Sequence, residues 1–105
     1  MEEAAAGFAA VGSEPRMEVL LCLIRSGSDG LPFREIRQRT GAPASTLSHH
    51  LRFLAAAGLI TQTRDGRQTI SRPDFGRLQS LSDFLLTQCC ADTAPCQPAD
   101  KEPAQ

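Results

Sequence analysis

The chain has 105 residues, a length that suits one folded domain and is too short for two independent cores. Hydrophobic residues make up 41% and charged residues 22% of the chain, which predicts a modest core and excludes full disorder. No apolar run is long enough to span a bilayer, and the first residues are acidic rather than basic. We therefore expect a cytoplasmic protein that neither enters a membrane nor is secreted.

The formal net charge is −1, but the positive charge is concentrated in the middle of the chain. Residues 31–72 contain seven Arg against only Glu35 and Asp65, whereas residues 1–30 and 73–105 each contain more acids than bases. A basic centre between acidic ends indicates a local surface for a polyanion. An ordinary solvated surface is the alternative that charge alone leaves open.

Helical periodicity and stop residues predict four helices in the first half of the chain. Ser13 can cap the second of them, and Gly41 can end the third. The third and fourth are joined by a short turn that contains glycine, the arrangement of a helix-turn-helix. The four predicted helices are Glu2–Val11, a helix from Pro15 to a stop at Gly27, Phe33–Thr40 and Ala44–Ala57.

A wing-like hairpin and a last helix follow. Two β-prone runs, Leu59–Arg64 and Arg67–Arg72, are separated by Asp65-Gly66, which is typical of a type I′ hairpin turn. Pro73 is predicted to stop the second strand and Asp74 to cap the last helix, whose apolar stripe is Phe75, Leu78, Leu81 and Leu85, continuing to Cys89. The predicted fold class is mainly α with a small β-hairpin, in the order α-α-α-α-β-β-α. The folded domain is predicted to span residues 1–90, and residues 91–105, with three Pro, a tail that is flexible without a ligand.

The fourth helix carries a polar face opposite its leucines. Small hydroxyls, a His and an Arg on that face fit into a major groove and present hydrogen-bonding groups to base edges. Arginines beside the hairpin turn can reach phosphates or the minor groove, and Arg34, Arg37 and Arg39 can approach the DNA backbone. An ordinary exposed helix face is the alternative. The predicted DNA-binding residues are Ser45, Thr46, Ser48, His49, Arg52, Arg64 and Arg67.

The four cysteines fall into two classes. Cys22 lies in an apolar run, which predicts packing in the core. Cys89, Cys90 and Cys96 cluster within eight residues, which favours soft-ion binding or redox chemistry in a chain without a secretion signal. Three sulfurs suit a trigonal pyramidal ion such as trivalent arsenic or antimony, whereas structural zinc needs a fourth ligand, from Asp92 or water. A disulfide among these cysteines is the redox alternative.

Four segments together form a recognisable pattern: Ser13-Glu14-Pro15-Arg16-Met17-Glu18-Val19-Leu20, Thr46-Leu47-Ser48-His49-His50-Leu51, Ala57-Gly58-Leu59-Ile60 and Arg64-Asp65-Gly66-Arg67. They resemble the ArsR (arsenic repressor) family of winged helix-turn-helix transcriptional regulators, and the resemblance covers about residues 8–90. It implies a winged helix-turn-helix fold and a homodimer formed through the first and last helices, which represses an operon until an inducer releases it from palindromic operator DNA.

The resemblance also bears on the inducer. Many arsenic repressors carry a Cys-x-Cys pair in the helix before the recognition helix, but Phe33–Thr40 contains no Cys. The adjacent pair Cys89 and Cys90, with Cys96 after five residues, resembles the subset that binds arsenite through a C-terminal three-cysteine site. The resemblance therefore implies As(III), with Sb(III) as a second candidate, at these three residues. Because the family includes other sensors, a zinc, cadmium or thiol-redox response is the alternative.

A small thiol oxidoreductase is the alternative from a different class of protein. Its cysteines are normally spaced Cys-x-x-Cys beside a βαβ unit, whereas Cys89 and Cys90 are adjacent and no βαβ pattern precedes them. We therefore expect a protein that is not an enzyme and that needs no organic cofactor.

Overall fold

The computed structural model describes residues 1–88 and Asp92, in which five helices pack with a small antiparallel sheet. This order confirms the predicted winged helix-turn-helix fold class. The predicted boundary at residue 90 and the expected tail fall, apart from Asp92, outside the described residues. The elements are α1 Glu2–Ala10, α2 Glu14–Ser26, β1 Leu31–Pro32, α3 Phe33–Thr40, α4 Ala44–Ala56, β2 Ile60–Asp65, β3 Gln68–Pro73 and α5 Phe75–Thr87.

The helix ends follow the local chemistry of the sequence. The Ser13 hydroxyl accepts a hydrogen bond from the Arg16 N–H at 3.5 Å, and the Asp74 carboxylate accepts one from the Arg77 N–H at 3.0 Å. Gly41 closes α3 in the left-handed conformation, with φ at 75°, and its N–H donates to the Arg37 carbonyl. These three predicted caps are therefore confirmed.

A short strand before α3 was not predicted. Leu31 and Pro32 of β1 pair with Ser71 and Ile70 of β3, so the sheet has the order β1-β3-β2 and β3 lies in its centre. A two-residue strand has no alternating pattern to detect. Gly30 permits the pairing, because a Cβ at this position would lie 2.5 Å from the Ser71 carbonyl oxygen.

The hairpin turn lies one residue later than predicted. Asp65 is still paired with Gln68, so the two turn residues are Gly66 and Arg67 rather than Asp65 and Gly66. Gly66 has φ at 67°, which a type I′ turn requires at its first central position. Pro73 belongs to β3, where it pairs with Ile60, and does not stop the strand before it.

One continuous core fixes the orientation of α4. Its leucines Leu47, Leu51 and Leu54 are buried in this core, where α4 packs against α2, α1 and β2. The stripe spacing of three and four residues places these leucines on one side of the helix, so the opposite face of α4 lies toward solvent. On the far side of the domain, α5 packs against α1, where Leu81 lies close to Gly7.

Candidate nucleic-acid interface

The polar face of α4 is exposed, as the sequence predicted. Because the leucines point into the core, all five nominated side chains of this helix lie at the surface. Helix α4 follows Pro43 and has no side-chain cap, so backbone N–H groups of its first turn are available to an anion. The exposed side chains on this face are Ser45, Thr46, Ser48, His49 and Arg52.

The wing, which we define as residues 60–73, carries the other two predicted residues. Arg64 lies on β2 opposite Thr69, and Arg67 lies in the turn itself. Both side chains are exposed. From these positions, both side chains can contact phosphates or a minor groove of DNA that lies against the exposed polar face of α4.

An open cavity of about 510 Å³ lies between α3, α4 and the wing, and we call it the arginine cavity. It brings three predicted residues together, Ser48, Arg52 and Arg67, whereas Ser45, Thr46, His49 and Arg64 lie outside it. Gln62 also lines the cavity, although it was not among the predicted DNA-binding residues. Its spacing of two residues from Arg64 on β2, which places both on one face of the strand, is the sequence signal that could have indicated it. The cavity is lined by Phe33, Arg34, Ser48, Leu51, Arg52, Gln62, Arg67, Gln68 and Thr69.

The three arginines of α3 have different environments. Arg34 lines both the arginine cavity and a neighbouring cavity along α3, whereas Arg37 lines only the neighbouring one. Arg39 donates a hydrogen bond to the Glu35 carboxylate at 3.1 Å, one helical turn away. All three were predicted to approach the DNA backbone, but the charge of Arg39 is already paired with a carboxylate on its own helix.

A second contact network holds the exposed face of α4 against α2. The guanidinium of Arg16 lies 4.3 Å from the centre of the Phe53 ring. The His49 ring meets Phe53 edge-on, with 5.1 Å between ring centroids. Phe53 therefore links a predicted DNA-binding residue to α2, a role that no sequence signal indicated.

His50 points away from this face. Its ring is half-buried, and its Nδ1 has no hydrogen-bond partner within residues 1–88. Burial lowers the pKa of His50 below the usual value of 6.5, and the charges of Arg16 and His49 add to the shift. The neutral form of the His50 ring is therefore favoured. The rings of His49 and His50 lie 6.3 Å apart, but His49 is exposed and His50 is half-buried.

The start of α5 is tied to the end of α4 and to α1. Arg77 donates from Nε to the Ala57 carbonyl at 3.4 Å and from Nη2 to the Glu3 carbonyl at 2.6 Å. The Asp74 N–H donates to the Leu59 carbonyl at 2.8 Å. A displacement of α5 would therefore act directly on the residues that follow α4.

The predicted ligand cysteines, Cys89, Cys90 and Cys96, lie outside the described residues. Cys22 is half-buried at the edge of the core and borders a surface cavity, so its predicted core packing is only partly correct. Burial raises the pKa of the Cys22 thiol, which disfavours the reactive thiolate. The part of the chain that the structure describes contains no cluster of three His, Cys, Asp or Glu side chains suited to a metal ion.

Among the helices of residues 1–88, none has the length and apolar character needed to cross a membrane.

Comparison with known proteins places this geometry in a family. A sequence profile described as a helix-turn-helix domain matches residues 11–63, about half of the chain. The chain is also 38% identical over 69 residues to the HTH-type transcriptional regulator YgaV of Escherichia coli strain K12, a match that covers 66% of this chain and 68% of that protein.

Solved structures share the fold. An ArsR-like transcriptional regulator from Rhodococcus sp. RHA1 has a TM-score of 0.72 and 25% identity, covering 82% of this chain and 78% of that one. The homodimeric winged helix-turn-helix DNA-binding domain Mb0332 of Mycobacterium bovis has a TM-score of 0.64 and 22% identity, covering 91% of this chain and 89% of that one. The chain therefore belongs to the helix-turn-helix domain family and is a DNA-binding transcriptional regulator of the ArsR, winged helix-turn-helix type.

Proposed function

We propose that this chain is a homodimeric repressor that holds operator DNA until As(III) binds Cys89, Cys90 and Cys96. The observation that carries the repressor assignment is the exposed polar face of α4 beside an arginine-bearing wing. Groups that read base edges and groups that hold phosphates then lie side by side, as sequence-specific binding requires. The proposal assigns a regulatory rather than an enzymatic role.

The surface of α5 supports a dimer through α1 and α5. Leu85 and Leu86, adjacent near the end of α5, are 57% and 60% exposed, and Phe75 at its start is 44% exposed, so α5 presents large apolar side chains at both ends. The homodimeric state of the similar M. bovis domain is consistent with this interface. Two α4 helices related by a two-fold axis would enter successive major grooves about 34 Å apart.

The cysteine spacing supports As(III) as the inducer. The adjacent pair begins two residues after α5 ends at Thr87, so the ion would bind next to the proposed dimer helix. Three thiols replace the three hydroxyls of arsenious acid, which forms three As–S bonds, releases three waters and leaves arsenic trivalent. Sb(III) has the same soft, trigonal chemistry and is the second candidate. Reduced cysteines of this kind require a reducing compartment, which the cytoplasm provides.

Release of DNA would follow from the contacts of α5. Binding at the end of α5 changes how the two α5 helices meet, and Arg77 and Asp74 carry this change to the residues after α4. A coupling free energy of about 1–3 kcal/mol alters operator affinity roughly 5- to 150-fold, and operator DNA must weaken arsenite binding by the same factor.

The test is a fluorescence-anisotropy titration of the reduced protein on the DNA upstream of its own gene, with arsenite, zinc, cadmium and hydrogen peroxide added in parallel. Release by arsenite alone supports the proposal. Release by zinc, cadmium or the oxidant without an arsenite response rejects As(III) and favours the alternative metal or thiol-redox repressor. Absence of binding to this DNA and to a duplex pool of random sequence rejects the repressor itself.

A further inference from the structure

Three elements that are distant in sequence each contribute one arginine to the arginine cavity. Arg34 comes from the first turn of α3, Arg52 from the middle of α4 and Arg67 from the wing turn. Among the described residues, no Asp or Glu lines the cavity. Three arginines therefore border one open space of about 510 Å³ that has no carboxylate from residues 1–88 or Asp92 in its walls.

These three arginines have no protein partner among the described residues, a property that Arg25, Arg37 and Arg64 share without lining the cavity. Within residues 1–88 and Asp92, none of Arg34, Arg52 and Arg67 forms an ion pair or a side-chain hydrogen bond. In contrast, Arg39 binds Glu35 and Arg77 binds the backbone of α1. Like charges that converge without a counter-charge repel one another, so an anion bound between them gains the attraction of all three.

The remaining polar walls suit a tetrahedral oxyanion. Ser48 supplies a hydroxyl from α4, and Gln62 and Gln68 supply side-chain amides from the two wing strands. Gln62 Nε2 donates to the Ser71 hydroxyl at 3.1 Å, which orients the amide and leaves its second N–H available. Neutral donors around a guanidinium cluster match the several acceptor oxygens of a phosphate group.

We infer that the arginine cavity binds one phosphate group of the DNA backbone, where the strand passes between α4 and the wing. This inference rests on the proposed operator binding and deepens it. A phosphate held by α3, α4 and the wing together fixes how the two DNA-contacting elements sit over the base pairs. The inference assigns Gln62 and Gln68 to the DNA interface. It also gives Arg34 a contact with the bound phosphate that Arg37, outside the cavity, does not make.

The test uses an operator duplex selected by the full-length protein from a random pool, in which single phosphates are replaced one at a time by neutral methylphosphonates. We expect one position in each half-site at which the unmodified protein loses about tenfold in affinity, because charge-assisted hydrogen bonds are lost. Arg34→Gln should bind the unmodified duplex more weakly, and its further loss at that position should be clearly smaller than that of the unmodified protein, because Arg52 and Arg67 still border the cavity. Arg37→Gln, from the same helix but outside the cavity, should retain the full penalty there.

The outcomes separate the inference from the proposed function. If Arg34→Gln keeps the full penalty at every methylphosphonate, the cavity does not hold a backbone phosphate. If inorganic phosphate shifts the Arg34 Nε–H signal in NMR spectra of the free protein while no methylphosphonate depends on Arg34, the cavity holds a free anion and the inference is wrong. If no duplex is selected from the pool, the proposed operator binding itself fails.

Discussion

The two sides of the domain differ in what they expose. The side formed by α3, α4 and the wing carries exposed arginines and few carboxylates, whereas the side formed by α1 and α5 exposes Phe75, Leu85 and Leu86 beside acidic residues such as Glu2 and Asp83. A net charge of −1 therefore gives no indication of DNA binding by itself. Charge segregation produces a local positive field that the whole-chain sum conceals.

The two sides are joined by few polar contacts. Arg77 and Asp74, at the start of α5, bind the carbonyls of Ala57 and Leu59 just beyond the end of α4. This arrangement lets DNA binding and inducer binding use separate surfaces and still influence each other. Variants on the α5 side should change assembly and induction, while variants on the α4 side should change DNA recognition.

The largest expected effect is on the response to the inducer. Cys89→Ser removes one of three proposed sulfur ligands, so arsenite should no longer release the operator at concentrations that fully release the unmodified protein. Affinity for the operator without arsenite should stay within about twofold, because α4 and the wing are unchanged. Cys22→Ser is the matched control and should keep the arsenite response with a lower midpoint of thermal unfolding. A normal arsenite response of Cys89→Ser would exclude this residue as a ligand.

The next largest effect concerns assembly. Leu86→Glu places a charge in the exposed apolar surface of α5, where a dimer would bury it unpaired. Sedimentation velocity should show a monomer, and operator affinity should fall about 100-fold because the two half-sites are no longer bound together. Ser80→Glu adds the same charge to an exposed position of α5 that lies about 120° around the helix from Leu86, so this control should remain a dimer. If Leu86→Glu also remains a dimer with normal affinity, the dimer does not form through α5.

A smaller effect is expected on base recognition. Arg52→Ala removes a guanidinium that the exposed face of α4 shares with the arginine cavity, so specific binding should weaken by about 1–3 kcal/mol. The lost phosphate contact should weaken binding to all sequences alike, and the lost base contact should relax base preference. Dimerisation and the factor by which arsenite weakens operator binding should be unchanged. Arg25→Ala, an exposed arginine of α2, should alter neither affinity nor preference. Retention of full sequence preference by Arg52→Ala would remove this residue from base readout.

The helices were predictable because their signals are local. Ser13, Gly41 and Asp74 set the ends of α2, α3 and α5 through their own hydrogen bonds or backbone conformation. The leucine spacing of α4 determines which face of that helix is buried and therefore which face is exposed. Strand β1 was not predictable, since Leu31 acquires a partner only when Ser71 folds back on it. The same limit applies to the arginine cavity, because the meeting of Arg34 with residues of the wing depends on tertiary packing.

The smallest expected effect concerns two neighbouring histidines of α4, because His50 lies on the packed side of this helix and His49 on its exposed side. Burial is the main reason that the pKa of His50 in the folded chain lies below 6.5, its usual value, with Arg16 and His49 adding to the effect. The unfolded chain therefore binds this proton more readily, and stability that is fully present above about pH 6.5 is lost as the pH falls.

Thermal unfolding of the unmodified chain, His50→Gln and His49→Gln at pH 7.5 and pH 5.5 measures this contribution. The decrease in midpoint between the two pH values should be smaller in His50→Gln, because the glutamine has no proton to gain. His49→Gln, which removes only a neighbouring charge, should reduce the decrease less. An equal decrease in the unmodified chain and in His50→Gln would show that protonation of His50 costs the fold nothing, and His50 would then not belong to the packed surface of α4.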